Sequence, residues 1–325
     1  MSASKPLVAA TVVNDEIDLL LLRMEYLAER VTHFYVSESP QTYSGRAKPL
    51  HVTNNLHRFA AYRDRMTVVR YDPPETITDP WEREAAALNS ARERIVSDFP
   101  NAVGFFGDVD ELPSPEQLDS MARLDQPATV PLDTYYRRAN WRLEFESPIL
   151  APKAAPVGLL PADLNAFRLD RTTYRNVTGE PGVHATYMAY SGEQLVKKLQ
   201  SFSHTEYLFL VPQADHLISV SDRLALDHLG RNRFAGHGLL THEAPEQWSP
   251  LQRWLASRRP SWFADRPPRS PRAWRLAQAG VLDAAMERQS LDLLSVFGTP
   301  QILAHPVARR AAARAVRRYL QEGPA

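Results

Sequence analysis

The sequence predicts an α/β fold: a mixed, mainly parallel sheet flanked by helices, followed by a helical C-terminal extension. Two observations carry this prediction. Strand-length apolar runs alternate with segments of helical period through roughly the first 110 residues, the pattern of successive β-α-β units. The fourth run, residues 103–106, leads through Gly107 straight into Asp108-Val109-Asp110-Glu111, as a buried strand does when it ends at a ligand-binding rim.

Each element follows from a local pattern. Residues 7–13 are an apolar first strand. Residues 17–28 place Ile17, Leu20, Leu21, Met24 and Leu27 at helical spacing, with Asn14 or Asp15 available as the cap. Residues 31–36 form strand two, which ends in Ser37-Glu38-Ser39-Pro40, and residues 56–64 read as helical. Residues 66–71 form strand three, stopped by Pro73-Pro74. Residues 81–99 read as one long helix, with Pro80 at its start. Asn14, Glu38, Asp72 and Asp108 therefore all fall at carboxyl ends of strands, on one rim.

The middle of the chain is less regular. Residues 129–141 are aromatic and strand-like, 151–161 loop-like, and 167–175 strand-like. Residues 184–190 alternate polar and apolar, and 192–203 read as a helix. Residues 266–271, rich in Pro and Arg, read as a connector before helical stretches near 280–296 and 305–320. The expected organisation is a catalytic-type domain over 1–240 and a basic, Pro/Arg-rich helical extension over 241–325.

Composition narrows the class. With no cysteine, disulfides and thiolate metal sites are excluded. The 38 basic and 38 acidic residues cancel, so nothing draws the whole chain to nucleic acid. The balance is uneven, however: from Leu251 onward there are thirteen Arg, no Lys and five acids. That tail offers a surface for peripheral contact with an anionic membrane or an acidic partner. No apolar stretch is long enough to span a bilayer, and a cytoplasmic protein is expected.

Asp108 and Asp110, one residue apart at a strand tip, can both reach one hard cation, and a cation there can hold a pyrophosphate. A solvated acidic turn is the bland alternative. A D-x-D phosphatase is another, but Leu112 stands where its pattern has Thr or Val.

Five stretches in order resemble glycosyltransferase family 17, the group of the β-1,4-mannosyl-glycoprotein N-acetylglucosaminyltransferases. They are Asn14-Asp15-Glu16-Ile17-Asp18-Leu19-Leu20 with Arg23; Val36-Ser37-Glu38-Ser39 with Thr42, Gly45, Lys48, Pro49 and Leu50; Trp81-Glu82-Arg83-Glu84; Gly107 to Pro113; and Gly182-Val183-His184 with Lys198 and Ser201 to Glu206. The resemblance spans roughly 7–235. It departs from the family at Val183 and Ala185, where a tryptophan and a cysteine are expected, and in the basic extension.

The resemblance implies a GT-A fold, a nucleotide-sugar donor, inverting transfer to a hydroxyl acceptor, and a divalent metal, Mn²⁺ or Mg²⁺. UDP-N-acetylglucosamine is the first-choice donor, and a saccharide or other glycan-type molecule the acceptor. A lectin-like module on a transferase fold is the non-catalytic alternative.

Roles follow on that basis. Asp110 is the first choice of metal ligand and Asp108 the second; Glu111 holds the turn or joins the chemistry. His184 and His204 are candidates for a metal or phosphate contact, and imidazole suits Mn²⁺ better than Mg²⁺. Asn14, Arg23, Glu38, Lys48, Trp81, Asn89 and Arg92 are the donor-side candidates, each with a structural alternative such as capping, an ion pair or packing. The general base that inversion requires is open among Glu146, Asp163, Glu180 and Glu206, with Glu206 carried as the catalytic candidate.

Overall fold

In the computed structural model, residues 4–143, 152–224 and 240–265 are described. They fall into two compact units. The first takes residues 4–134, 152–185 and 201–203; the second takes 135–143, 186–200, 204–224 and 240–265.

The first unit is built on a six-stranded sheet. Its strands are β1 (Leu7–Val12), β2 (His33–Glu38), β3 (Met66–Arg70), β4 (Val103–Phe106), β6 (Ala128–Thr129) and β9 (Lys153–Pro156), in the order β3-β2-β1-β4-β9-β6. β3, β2, β1 and β4 are parallel neighbours, and β9 runs antiparallel between β4 and β6. This is the mixed, mainly parallel α/β sheet that the alternating pattern predicts.

Both faces of the sheet are covered, as parallel sheets require. Side chains alternate along each strand. Leu7, Ala9, Phe34, Val36, Val103 and Phe105 pack against α1 (Ile17–Leu27) and α5 (Pro115–Met121) through Leu20, Met24, Leu118 and Met121. Val8, Ala10, Tyr35 and Phe106 face the other way. They meet Leu88, Ile95 and Leu164 of α3 (Pro80–Asn89), α4 (Arg92–Asp98) and α6 (Leu164–Leu169). Between β2 and β3 the chain forms the short helix α2 (His51–Asn54) and a 3-10 segment, Leu56–Arg65.

A second antiparallel pair, β5 (Glu111–Leu112) with β10 (Gly182–Thr186), places Val183 opposite Leu112 and His184 opposite Glu111. Gly182 is required there: a Cβ would lie 2.2 Å from the Leu112 carbonyl oxygen.

Strand β7 (Leu132–Tyr136) carries the chain into the second unit. That unit holds β8 (Trp141–Leu143) paired antiparallel with β11 (Leu240–His242), and the helices α7 (Gly192–Ser201), α8 (Ala214–Leu224) and α9 (Pro250–Arg258). Tyr136, Trp141 and Leu143 form a small core. Among the described residues no helix is long and apolar enough to cross a membrane. The predicted connector and helices over 266–320 lie outside the described residues.

Four local expectations are corrected. The long helix over 81–99 is two helices, because the chain turns at Ser90, whose hydroxyl bonds the Ala87 carbonyl and the Ser37 hydroxyl. The stretch at 167–175 contains the end of a helix instead of a strand: Asp163 accepts from the Asn165 and Ala166 N–H groups and starts α6 upstream. The loop-like stretch at 151–161 contains β9, which pairs with both β4 and β6. Neither Asn14 nor Asp15 caps α1; instead the Glu16 carboxylate folds back onto both of their N–H groups.

Candidate functional site

The acidic turn begins where β4 ends. A Cβ on Gly107 would meet the Glu111 carboxylate at 2.9 Å, so glycine lets Glu111 fold back beneath the turn. There it accepts the Asp108 N–H at 2.5 Å, while the Glu111 N–H donates to the Asp108 carbonyl at 3.1 Å. Glu111 is buried, at 1% exposure. Burial pushes its carboxyl pKa up, with Asp108 and Asp110 adding to the effect and Arg168 and His184 opposing it.

Two arginines hold this turn, one from each face of the sheet: Arg23 is buried and Arg168 partly so. Arg23, on α1, donates through Nη1 to the Asp108 carbonyl at 2.8 Å and to the Glu111 carbonyl. Its guanidinium lies 5.1 Å from the Phe105 ring centre. Burial lowers its pKa to about 10 against the pull of Glu111, Asp108 and Asp110, so it stays charged at neutral pH. Its Nη2 has no partner among the described residues. Arg168, on α6, grips Asp108 with both nitrogens, at 2.5 and 2.9 Å, and lies 3.4 Å from both Glu111 oxygens. Burial works against its charge, but Asp108 and Glu111 outweigh that and raise its pKa.

Asp110 points elsewhere. Its carboxylate lies 3.6 Å from His184 Nε2, and its carbonyl accepts the Ala185 N–H at 2.8 Å. The β5–β10 register thus sets His184 beside Asp110. Burial depresses the His184 pKa, but Asp110, through charge and hydrogen bond, and then Glu111 and Asp108 outweigh it, so the net shift is upward.

The structure brings Asp108, Asp110, Glu111, Arg23 and His184 together. It adds Arg168 and the buried Lys153, which sequence reasoning missed. Burial lowers the Lys153 pKa against the pull of Asp170 and Glu111. The signal for α6, and so for Arg168, was Asp163 as an N-cap followed by Leu164 and Phe167.

The other candidates sit apart from the turn or serve elsewhere. Asn14 and Lys48 meet at the tip of β1, where Lys48 Nζ donates to the Asn14 carbonyl at 3.1 Å. Burial lowers the Lys48 pKa, with Glu38, Glu16 and Asp15 opposing. Asn14 Oδ1 is buried without a hydrogen-bond partner among the described residues. Glu38, 1% exposed, is committed to the start of α2: it accepts the Val52 N–H at 2.5 Å, the Thr53 N–H at 3.0 Å and the Thr53 hydroxyl at 2.8 Å.

Asn89 bonds Asp163 and the Leu164 N–H, and Arg92 bonds the Pro161 and Leu160 carbonyls, so both anchor the entry to α6. Trp81 is 46% exposed at the start of α3. Asp163 is occupied as the α6 cap, and Glu180 is exposed. His204 belongs to the second unit, its ring tilted against Tyr207 before the 3-10 segment Thr205–Gln213. Glu146 and the Glu206 side chain lie outside the described residues.

Among the described residues no group of three or more His, Asp or Glu is arranged to hold a metal ion. Asp110 and His184 nevertheless offer one oxygen and one nitrogen donor side by side. Two protein ligands fit a cation whose remaining positions go to phosphate oxygens and water. Asp108 does not offer its oxygens, since Arg168 holds both.

An acidic turn at the carboxyl end of a central parallel strand, steadied by two arginines, marks an α/β enzyme that binds its ligand at the strand tips. The family model described as Glycosyltransferase family 17 matches residues 2–217; the chain belongs to that family and is a glycosyltransferase. Among solved structures, a mannosyltransferase from Pyrobaculum calidifontis in complex with GDP-Man and Mn²⁺ is similar at 14% identity. That match covers 99% of this chain and 89% of that one, with a TM-score of 0.35. No curated protein matches the chain.

Proposed function

We propose that the protein transfers a sugar, with N-acetylglucosamine the first choice, from a UDP-sugar to a hydroxyl of a glycan-type acceptor, with inversion and with Mn²⁺ or Mg²⁺. The observation that carries this reading is the Asp110–His184 pair at the end of β4, set 3.6 Å apart beside a turn whose other carboxylates are already neutralised. Asp110 and His184 are the residues that would hold the cation. Bound there, it supplies Lewis-acid neutralisation of the departing diphosphate.

The chain's own residues prepare that site. Arg23 and Arg168 fix the turn so that Asp110 is presented without rearrangement. Asn14 Oδ1, a buried acceptor without a partner at the tip of β1, suits the imide N–H of a uracil ring. Lys48, beside it, supplies a positive charge for the donor. Glu206 is the general-base candidate in this reading.

A screen of nucleotide-sugar donors by nucleotide release, with and without Mn²⁺, tests it. UDP release that needs the metal and rises with a saccharide acceptor is expected. No turnover of any sugar donor with Mn²⁺ present would sink the proposal.

A further inference from the structure

We infer that Arg83 is a positioning residue for the nucleotide donor: it staples the loop at 40–48 to the start of α3 and so fixes Lys48 at the tip of β1. The inference rests on Lys48 facing the donor, as in the proposed function.

The loop follows the end of β2 and turns back on itself. Gln41 bridges to Ala47, and the Thr42 N–H donates to the Arg46 carbonyl at 2.8 Å. The Gly45 N–H donates to the Thr42 carbonyl at 2.9 Å, and the Lys48 N–H to the Pro40 carbonyl at 2.8 Å. These bonds shape the loop but tie it to no other element. Internal bonds alone leave a surface loop able to pivot about its ends.

Arg83 supplies the tie. Its Nη1 donates to the Tyr43 carbonyl at 3.1 Å and to the Thr78 carbonyl at 2.9 Å. One nitrogen thereby joins the loop to the residue just before Asp79, the cap of α3. That helix is itself anchored, with Leu88 in the core on its face of the sheet. The guanidinium also lies against Gly45: a Cβ there would stand 3.1 Å from Nη1 and 3.2 Å from Cζ and Nη2. Gly45 has a φ of 85°, which residues with side chains rarely adopt. Glycine at 45 and arginine at 83 are thus a matched pair, one leaving the room that the other fills. The Tyr43 N–H is held as well, by the Ser201 carbonyl at 3.0 Å, so Tyr43 is gripped through both of its backbone groups.

The returning leg of the loop carries the functional group. Lys48 Nζ donates to the Asn14 carbonyl at 3.1 Å, at the tip of β1. The side chain is partly buried there. A lysine is a compact charge on a flexible stem, so the place of its charge depends on how firmly its backbone is held. Burying an ammonium is costly, and a loop without its staple lets Lys48 swing back into water.

The test compares full-length wild type, Arg83→Gln, Gly45→Ala, Lys48→Met and the Arg83→Gln/Lys48→Met double variant in two measurements. The first is amide hydrogen exchange over residues 40–49, without ligand. Arg83→Gln and Gly45→Ala are expected to speed it by about tenfold or more, while β1 and β4 keep their wild-type protection. The second is UDP binding by calorimetry in the presence of Mn²⁺. Lys48→Met is expected to weaken it by about tenfold and Arg83→Gln by nearly as much, with the double variant within about twofold of Lys48→Met. A merely structural arginine would act independently of Lys48, and the two losses would multiply.

Unchanged exchange over 40–49 in Arg83→Gln overturns the staple, and Gly45→Ala decides that arm if the arginine variant does not fold. Wild-type UDP affinity in Arg83→Gln, or losses that multiply in the double variant, overturns the link to Lys48. If wild type binds no UDP, the donor reading falls and the role of Lys48 with it. The exchange measurement uses no nucleotide and still decides the staple.

Discussion

Replacing Arg23 with leucine tests how the acidic turn is held. The side chain is 2% exposed, and its Nη1 serves the carbonyls of Asp108 and Glu111. Leucine refills much of the volume and keeps an apolar contact with Phe105, so the loss is mainly polar. The buried Glu111 carbonyl loses this donor, at about 1–3 kcal/mol, while the Asp108 carbonyl keeps the Glu111 N–H. The carboxylates of Glu111, Asp108 and Asp110 also lose a neighbouring cation, and breaking one side of a buried charge arrangement costs about 3–5 kcal/mol. These contributions overlap and do not add, so the expected total is about 3–5 kcal/mol. Urea unfolding measures it directly, as a lower midpoint with the slope unchanged. Arg23→Lys keeps the charge but is shorter and lacks the planar fork, so it should fall between the two. A loss of less than about 1 kcal/mol for the leucine variant would refute the claim that Arg23 holds the turn.

Other perturbations follow from the same contacts. Gly182→Ala puts a methyl group 2.2 Å from the Leu112 carbonyl oxygen and 2.7 Å from Pro113 Cα. It should cost about 3 kcal/mol in thermal unfolding, and unchanged stability would contradict the β5–β10 pairing. Glu38→Ala removes the acceptor for the Val52 and Thr53 N–H groups and should cost about 1–2 kcal/mol by the same measurement.

The His184–Asp110 pair makes stability depend on pH. The folded-state pKa of His184 is raised, so the pair's contribution is complete below the unfolded value near about 6.5 and is lost as pH rises through the folded value. The stability difference between wild type and His184→Gln should therefore shrink from acid to alkaline pH. A difference that grows with pH would contradict the pairing.

The parallel strands were legible because each is an uninterrupted apolar run ending in polar residues, and the acidic turn because it follows one such run directly. β9 was not legible: its Lys-Ala-Ala-Pro sequence carries little β-branched or large apolar signal, and it is a strand because β4 and β6 flank it. The break between α3 and α4 lies in a continuous helical pattern, and the Ser37 hydroxyl that meets Ser90 there comes from β2. Asn89 and Arg92 were noticed for their spacing, but their partners at 160–164 lie some seventy residues away in sequence. Arg168 was missed for the same reason. Its pairing with Asp108 spans sixty residues, and no local pattern announces an ion pair at that separation. Residue type and period report the elements; a site that draws on both faces of a sheet is encoded only in how they pack.

The central claim is glycosyl transfer at the tip of β4, with Asp110 as the anchor. Its most direct test is metal-dependent UDP release by Asp110→Asn beside wild type, with unfolding midpoints recorded for both. Asp110 is partly exposed, with His184 beside it, so the variant should remain folded while turnover falls by about 100-fold or more. A folded Asp110→Asn protein that releases UDP at the wild-type rate would contradict the claim.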